Sequence, residues 1–178
     1  MSKPSKENKL LEIFYNEPTR HWHFNEIVKT IIISQDRAAY WLKKFQKEEL
    51  IKHMKEKGKM PYFIGNHESG TYRNKKKIYA LEQLNKSGLL DYLQTIDGTV
   101  IIFGSIARSD WYKESDIDLF IYGPEQEIDL HSYERALNRE IQIFYAHDRN
   151  FFEKYGEELI KNIVSGYVVK GPLTFLRL

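Results

Sequence analysis

Two acidic residues in this 178-residue sequence, Asp116 and Asp118, have the type and spacing to do chemistry. They lie in Ser115-Asp116-Ile117-Asp118-Leu119-Phe120-Ile121-Tyr122, whose composition predicts a strand. Residues two apart on a strand point the same way, so both carboxylates share one face at the strand start. Two close carboxylates repel unless a cation sits between them. Mg²⁺ accepts such oxygen ligands and keeps water and substrate phosphates as the remainder. A buried-type strand, Gly98 to Phe103, precedes them and ends at Gly104-Ser105. Gly104 lets backbone approach a phosphate closely, and Ser105 adds a hydroxyl donor.

The elements that position these groups follow in order. Asn85 to Leu93 predicts a helix that opens a second domain. Arg139-Glu140-Ile141-Gln142-Ile143-Phe144-Tyr145 predicts a further strand, Phe151 to Val164 an amphipathic helix, and Tyr167 to Gly171 a closing strand or turn.

Gly104-Ser105-Ile106-Ala107-Arg108, followed by Ser115-Asp116-Ile117-Asp118-Leu119, resembles the polymerase-beta-type nucleotidyltransferases, most closely their minimal, MNT-type members. The resemblance extends over about residues 88 to 172 and implies a small mixed β-sheet backed by helices. It implies that Gly104 and Ser105 hold the phosphates of an NTP and that Asp116 and Asp118 are the catalytic, metal-binding residues, with Mg²⁺ or Mn²⁺ as cofactor. The implied reaction moves a nucleoside monophosphate onto an acceptor and releases pyrophosphate. Arg108 matches the motif arginine, which either contacts phosphate or braces the loop by an ion pair. The same resemblance implies a helical HEPN-type protein as a partner and AMP acceptor.

Two positions depart from the family pattern. Ser109 stands where glycine usually follows the arginine. The third acidic position, on the strand from Arg139, is Gln142, a neutral residue that cannot act as a base. In two-metal transfer that carboxylate helps hold the metal that activates the attacking hydroxyl. Glu140, two residues earlier on the same face, is the alternative donor. A fold that keeps its nucleotide pocket but turns over slowly or not at all is therefore the competing expectation.

The first half is of a different kind. Leu10, Leu11, Ile13 and Phe14 form a helical stripe ended by Asn16-Glu17-Pro18, and His23 to Lys29 predicts a second helix. Ser34 is placed to cap a third, with Ala38, Trp41, Leu42 and Phe45 inward. Leu50 to Lys55 predicts a strand, Gly58 to Asn74 a loop, and Arg73 to Leu81 a returning strand. This order resembles the winged helix-turn-helix family over residues 5 to 82, with residues 33 to 45 similar to its recognition helix. The resemblance implies double-stranded DNA as partner. Gln35, Arg37 and Tyr40 then face the major groove, where Gln pairs with adenine and Arg with guanine. Lys43, Lys44, Arg73, Lys75, Lys76 and Lys77 are the candidate phosphate contacts. Asp36 counts against DNA. His21, Trp22 and His23 lack a further ligand at metal-site spacing.

Charge divides the chain the same way. Residues 1–84 carry 17 Lys+Arg and 10 Asp+Glu, and residues 85–178 carry 10 and 15, so +7 beside −5 makes up the net +2. A basic half beside an acidic half points to different partners. There is no cysteine, which excludes disulfides and thiolate metal sites. The polar, lysine-rich Met1 to Leu10 predicts no signal peptide, and apolar runs are too short to span a membrane. The expectation is an α+β protein: a winged helix at 1–84 and a nucleotidyltransferase fold at 85–178, cytoplasmic, with no membrane contact and a homodimer among its assemblies. A transcriptional regulator that senses nucleotide, or an antitoxin-like protein, is the alternative.

Overall fold

The structure is a computed structural model that describes residues 5–148 and 150–173. The outer ends of both expected domains, residues 1–4 and 174–178, lie outside the described residues. The chain divides into two compact units, Met1–Lys76 and Lys77–Leu178. The expected boundary after residue 84 falls inside a helix, Gly70–Lys86.

In the first unit, α1 (Lys6–Asn16), α2 (Phe24–Ile31) and α3 (Gln35–Lys47) precede β1 (Ile51–Met54) and β2 (Tyr62–Gly65). Ser5 and Ser34 cap α1 and α3, accepting from the backbone N–H groups of Asn8 and Arg37. The caps satisfy donors that a helix start leaves orphaned. Leu10, Phe14, Ile27, Ala38, Leu42, Phe45 and Leu50 are buried and form the core, whereas Trp41, expected inward, is half-buried. β1 and β2 pair antiparallel, and Trp22 bridges Phe63 through two backbone hydrogen bonds of 2.8 and 3.0 Å.

Two expectations are corrected in this unit. The stretch read as a loop, 58–74, contains β2, and the returning strand expected at 73–81 is part of α4 (Gly70–Lys86). Tyr72, Lys76, Ala80 and Leu84 explain the second result: they recur every four residues and are all buried. That is a helical stripe. A lysine inside it hides the pattern from a hydrophobicity reading. The Tyr72 hydroxyl donates to the Phe14 carbonyl at 2.7 Å and fixes the start of α4 on α1.

The second unit continues with α5 (Leu89–Thr95), β3 (Thr99–Phe103), α6 (Gly104–Arg108), β4 (Ile117–Tyr122), α7 (His131–Leu137), β5 (Ile141–Ala146), α8 (Phe151–Val164) and β6 (Tyr167–Lys170). The single helix expected over 85–93 is split, because the Ser87-Gly88 turn separates α4 from α5, with Gly88 at φ 82°. The sheet order is β5-β4-β3-β6. β3 is antiparallel to β4 and β6, whereas β4 and β5 run parallel, joined through α7. All five residues of β3 are buried. Ile101, Phe103 and Phe120 pack with Ile163 of α8. Val100, Ile102, Leu119 and Ile121, of opposite parity, are buried too, so both faces of the central strands are covered. Among the described residues no helix is long and apolar enough to cross a membrane.

Candidate functional site

Register brings the sequence-predicted residues of the second unit to one end of the central strands. Phe103, the last residue of β3, lies opposite Asp118 of β4. The next residue, Gly104, has φ 68° and starts α6. A Cβ built on Gly104 would lie 1.9 Å from the Asp118 carboxylate oxygen Oδ2. Only glycine lets the Asp118 carboxylate rest on this turn, and only glycine adopts the positive φ without strain. Ser105 follows in α6, and its carbonyl accepts from the Asp110 N–H at 3.1 Å.

Asp118 is half-buried and Asp116 exposed. Burial raises the Asp118 pKa above its ordinary value, the Asp116 charge raises it further, and the Arg108 guanidinium pulls it down. Two negative charges held close together favour a cation placed between them. Arg108 itself is engaged on its own side. Its Nε donates to Asp110 Oδ2 at 2.9 Å, and Nη1 donates to Asn162 Oδ1 of α8 at 3.2 Å. The pair with Asp110 is the brace expected for Arg108.

Gln142 of β5 lies directly opposite Asp118 in the parallel register, at the position expected for a third carboxylate. Asp116 and Glu140 flank the next pair out, Ile117 and Ile141, and the Ile117 N–H donates to the Glu140 carbonyl at 2.9 Å. Asp116, Glu140 and Gln142 line a cleft of about 690 Å³ together with Glu134 and Arg135 of α7. Glu134 is occupied, since its Oε1 accepts the Ile141 N–H at 3.1 Å. Among the described residues no group of three or more His, Cys, Asp or Glu is placed to hold a metal ion. The donor set of Asp116 and Asp118, hard oxygens that repel each other, fits one divalent cation whose remaining ligands are water and phosphate.

Residues 86–170 match the family model of the nucleotidyltransferase domain. The match takes in β3, the Gly104 turn, Asp116, β4 with Asp118, and β5 with Gln142. No curated protein matches the chain, and neither does a solved structure. The nucleotidyltransferase match stops short of the first unit's helices and hairpin.

There, Gln35, Arg37, Tyr40, Lys43 and Lys44 of α3 are all exposed, and Tyr40 is 67% exposed. Lys44 pairs with Glu7 at 2.6 Å and Lys75 with Glu48 at 2.6 Å. Such exposed pairs contribute little and exchange readily for another anion. Lys76 is corrected outright. It is 1% exposed in α4, beside the Tyr72 ring, and cannot reach a phosphate backbone. Lys77 is half-buried and belongs to the second unit. The lysines between β1 and β2 are Lys55, Lys57 and Lys59, all exposed. The signal for them in the sequence is lysine at every second position of Lys55-Glu56-Lys57-Gly58-Lys59.

Proposed function

We propose that this chain is a metal-dependent nucleotidyltransferase joined to a winged helix-turn-helix DNA-binding module. The observation that carries the enzymatic half is the Asp118 carboxylate resting on the Gly104 turn, with Asp116 two residues earlier. Gly104 and Ser105 receive the triphosphate, with backbone N–H and hydroxyl donors directed at phosphate oxygens. Asp116 and Asp118 hold Mg²⁺ or Mn²⁺. The bound cation supplies charge neutralisation at the transferring phosphate and orients it. An acceptor oxygen bonds to the α-phosphorus, the bond from that phosphorus to the bridging oxygen breaks, and pyrophosphate leaves with the electron pair. The acceptor proton passes to solvent or to a carboxylate of the site. The acceptor classes are a protein, including a helical HEPN-type partner, an RNA end or a small molecule.

Gln142 opposite Asp118 favours a second reading of the same site. A neutral amide gives no oxyanion to the attacking side, so the domain binds nucleotide and turns over slowly, and the chain serves as a nucleotide-sensing regulator or an antitoxin-like protein. The DNA-binding half rests on the exposed polar face of α3, capped by Ser34, and on the lysines of the β1–β2 connection. Gln35, Arg37 and Tyr40 read bases, and Lys43, Lys44, Lys55, Lys57 and Lys75 contact phosphates.

The test is transfer of label from α-³²P NTPs with Mg²⁺ into a cell extract, with wild type beside Asp118→Ala. Label dependent on Asp118 identifies the enzyme and, by mass spectrometry, its acceptor. Metal-dependent NTP binding without transfer supports the regulator. Absence of both rejects the nucleotide site.

A further inference from the structure

Arg139 precedes β5 and lies outside the motifs that define the site. Its Nη1 donates to two carbonyls, Tyr112 O at 2.7 Å and Ser115 O at 2.5 Å. The guanidinium carbon lies 4.9 Å from the centroid of the Trp111 ring, and Trp111 is 2% exposed. The Tyr112–Ser115 turn is closed on itself, because Ser115 Oγ accepts from the Tyr112 N–H at 2.8 Å and the Ser115 N–H donates to Tyr112 O at 3.2 Å. The next residue is Asp116. One residue later the Ile117 N–H donates to the Glu140 carbonyl.

Asp116 is thus held on both sides by neighbouring residues of one segment. Arg139 fixes the carbonyl before it, and Glu140 fixes the amide after it. This matters because Asp116 precedes the first residue of β4, where the strand ladder no longer fixes the backbone. An exposed carboxylate on a free turn loses conformational entropy when it binds a cation. A pre-set turn avoids that loss. The guanidinium suits the task, since one planar group donates to both carbonyls and lies over an indole, and a weakly hydrated guanidinium does the latter better than an ammonium.

We infer that Arg139 is a positioning residue that locks the Tyr112–Ser115 turn and so presents the Asp116 carboxylate to the nucleotide-bound cation. The inference rests on the metal-site reading proposed above. Arg139 lines the same cleft as Asp116, and its hydrogen bonds go to backbone carbonyls, so it acts on Asp116 through the backbone of Ser115. Residues that orient metal ligands in this way typically change metal affinity by about 10–100-fold when replaced.

The experiment measures Mn²⁺ binding by electron paramagnetic resonance, on the full chain, with the α,β-methylene analogues of ATP, GTP, CTP and UTP. Wild type, Arg139→Lys, Arg139→Ala and Asp118→Ala are compared, and melting is recorded for each. The expected result is Mn²⁺ affinity about 10–100-fold weaker in Arg139→Ala, a loss only partly recovered in Arg139→Lys, and partial rescue of Arg139→Ala by added guanidinium chloride at millimolar concentration. Affinity within twofold of wild type in Arg139→Ala overturns the inference, whatever happens to its melting temperature. Should Arg139→Ala not fold, the Lys variant decides, and wild-type affinity there overturns it equally. If wild type itself binds no Mn²⁺ with any analogue, the metal-site reading fails and this inference falls with it. If wild type binds and Asp118→Ala does not, the metal-site reading stands and the Arg139 variants alone decide.

Discussion

Asp118 of β4 and Gln142 of β5 stand opposite each other in a parallel ladder. The pairing puts a neutral amide beside one of the two acidic groups that define the site. On the proposed reading, replacing Gln142 by Asp adds an oxyanion beside Asp118, on the side of the attacking hydroxyl. The expected result is a transfer rate raised by about 10²-fold or more, the size of effect seen when one preorganised electrostatic group is gained or lost. Initial rates with labelled NTP check this. If Glu140 supplies the oxyanion instead, wild type is already brisk and Glu140→Ala abolishes transfer. Brisk wild-type transfer indifferent to Glu140→Ala refutes both versions.

Gly104→Ala tests the carboxylate's seat. The new Cβ meets Asp118 Oδ2 at 1.9 Å, and φ 68° strains any side chain. Both effects act together. Stability should fall by more than about 1 kcal/mol, read from urea denaturation, and calorimetry should show nucleotide binding that no longer depends on metal. Wild-type values for both would place the Asp118 carboxylate elsewhere.

Burial and Asp116 raise the Asp118 pKa above 3.8. The folded chain therefore holds this proton to higher pH than the unfolded chain. Stability from this group falls as pH rises from the unfolded value through the folded one, and the cost is present in full above that. Asp118→Asn removes the cost. The metal-free variant should melt higher than wild type at neutral pH, and the gap should close as pH falls toward 3.8. Adding Mg²⁺ and NTP should reverse the order. A variant that melts lower than metal-free wild type at neutral pH contradicts the electrostatic account.

For the first unit, fluorescence anisotropy of the full chain on duplex DNA should show affinity falling steeply with salt. Lys43→Ala and Lys57→Ala should each lower the salt slope by about 1 and weaken all duplexes alike, whereas Arg37→Ala should cost about 1–3 kcal/mol on preferred sites. No duplex binding at low salt rejects the DNA-binding half.

What was legible in the sequence was local. Ser34 announces α3 because a cap acts on the next turn, and Asp116 with Asp118 declare themselves because strand alternation has a period of two. The resemblance, with the same alternation, put Gln142 at the third acidic position, whereas its pairing with Asp118 is a matter of register between strands. β2 was hidden because Tyr62 to Gly65 is four residues long between Pro61 and Asn66, and its pairing with β1 and Trp22 is long-range. The Arg108 contact with Asn162 spans 54 residues and the Arg139 contact with Tyr112 spans 27. No spacing rule reaches across such distances, so the bracing of the motif arginine and of the Asp116 turn had to be seen in the fold.

Burial of Lys76 also bears on how the Lys75-Lys76-Lys77 triplet reacts. Successive helical residues point about 100° apart, so three adjacent ammonium groups do not act as one cationic cluster. Lys75 is exposed, Lys77 is half-buried, and Lys76 is buried beside the Tyr72 ring. An amine-acylating reagent applied to the native chain should therefore mark the first readily, the second slowly and the middle one last. Peptide mapping would then register α4 as a gap of one residue in an otherwise labelled run.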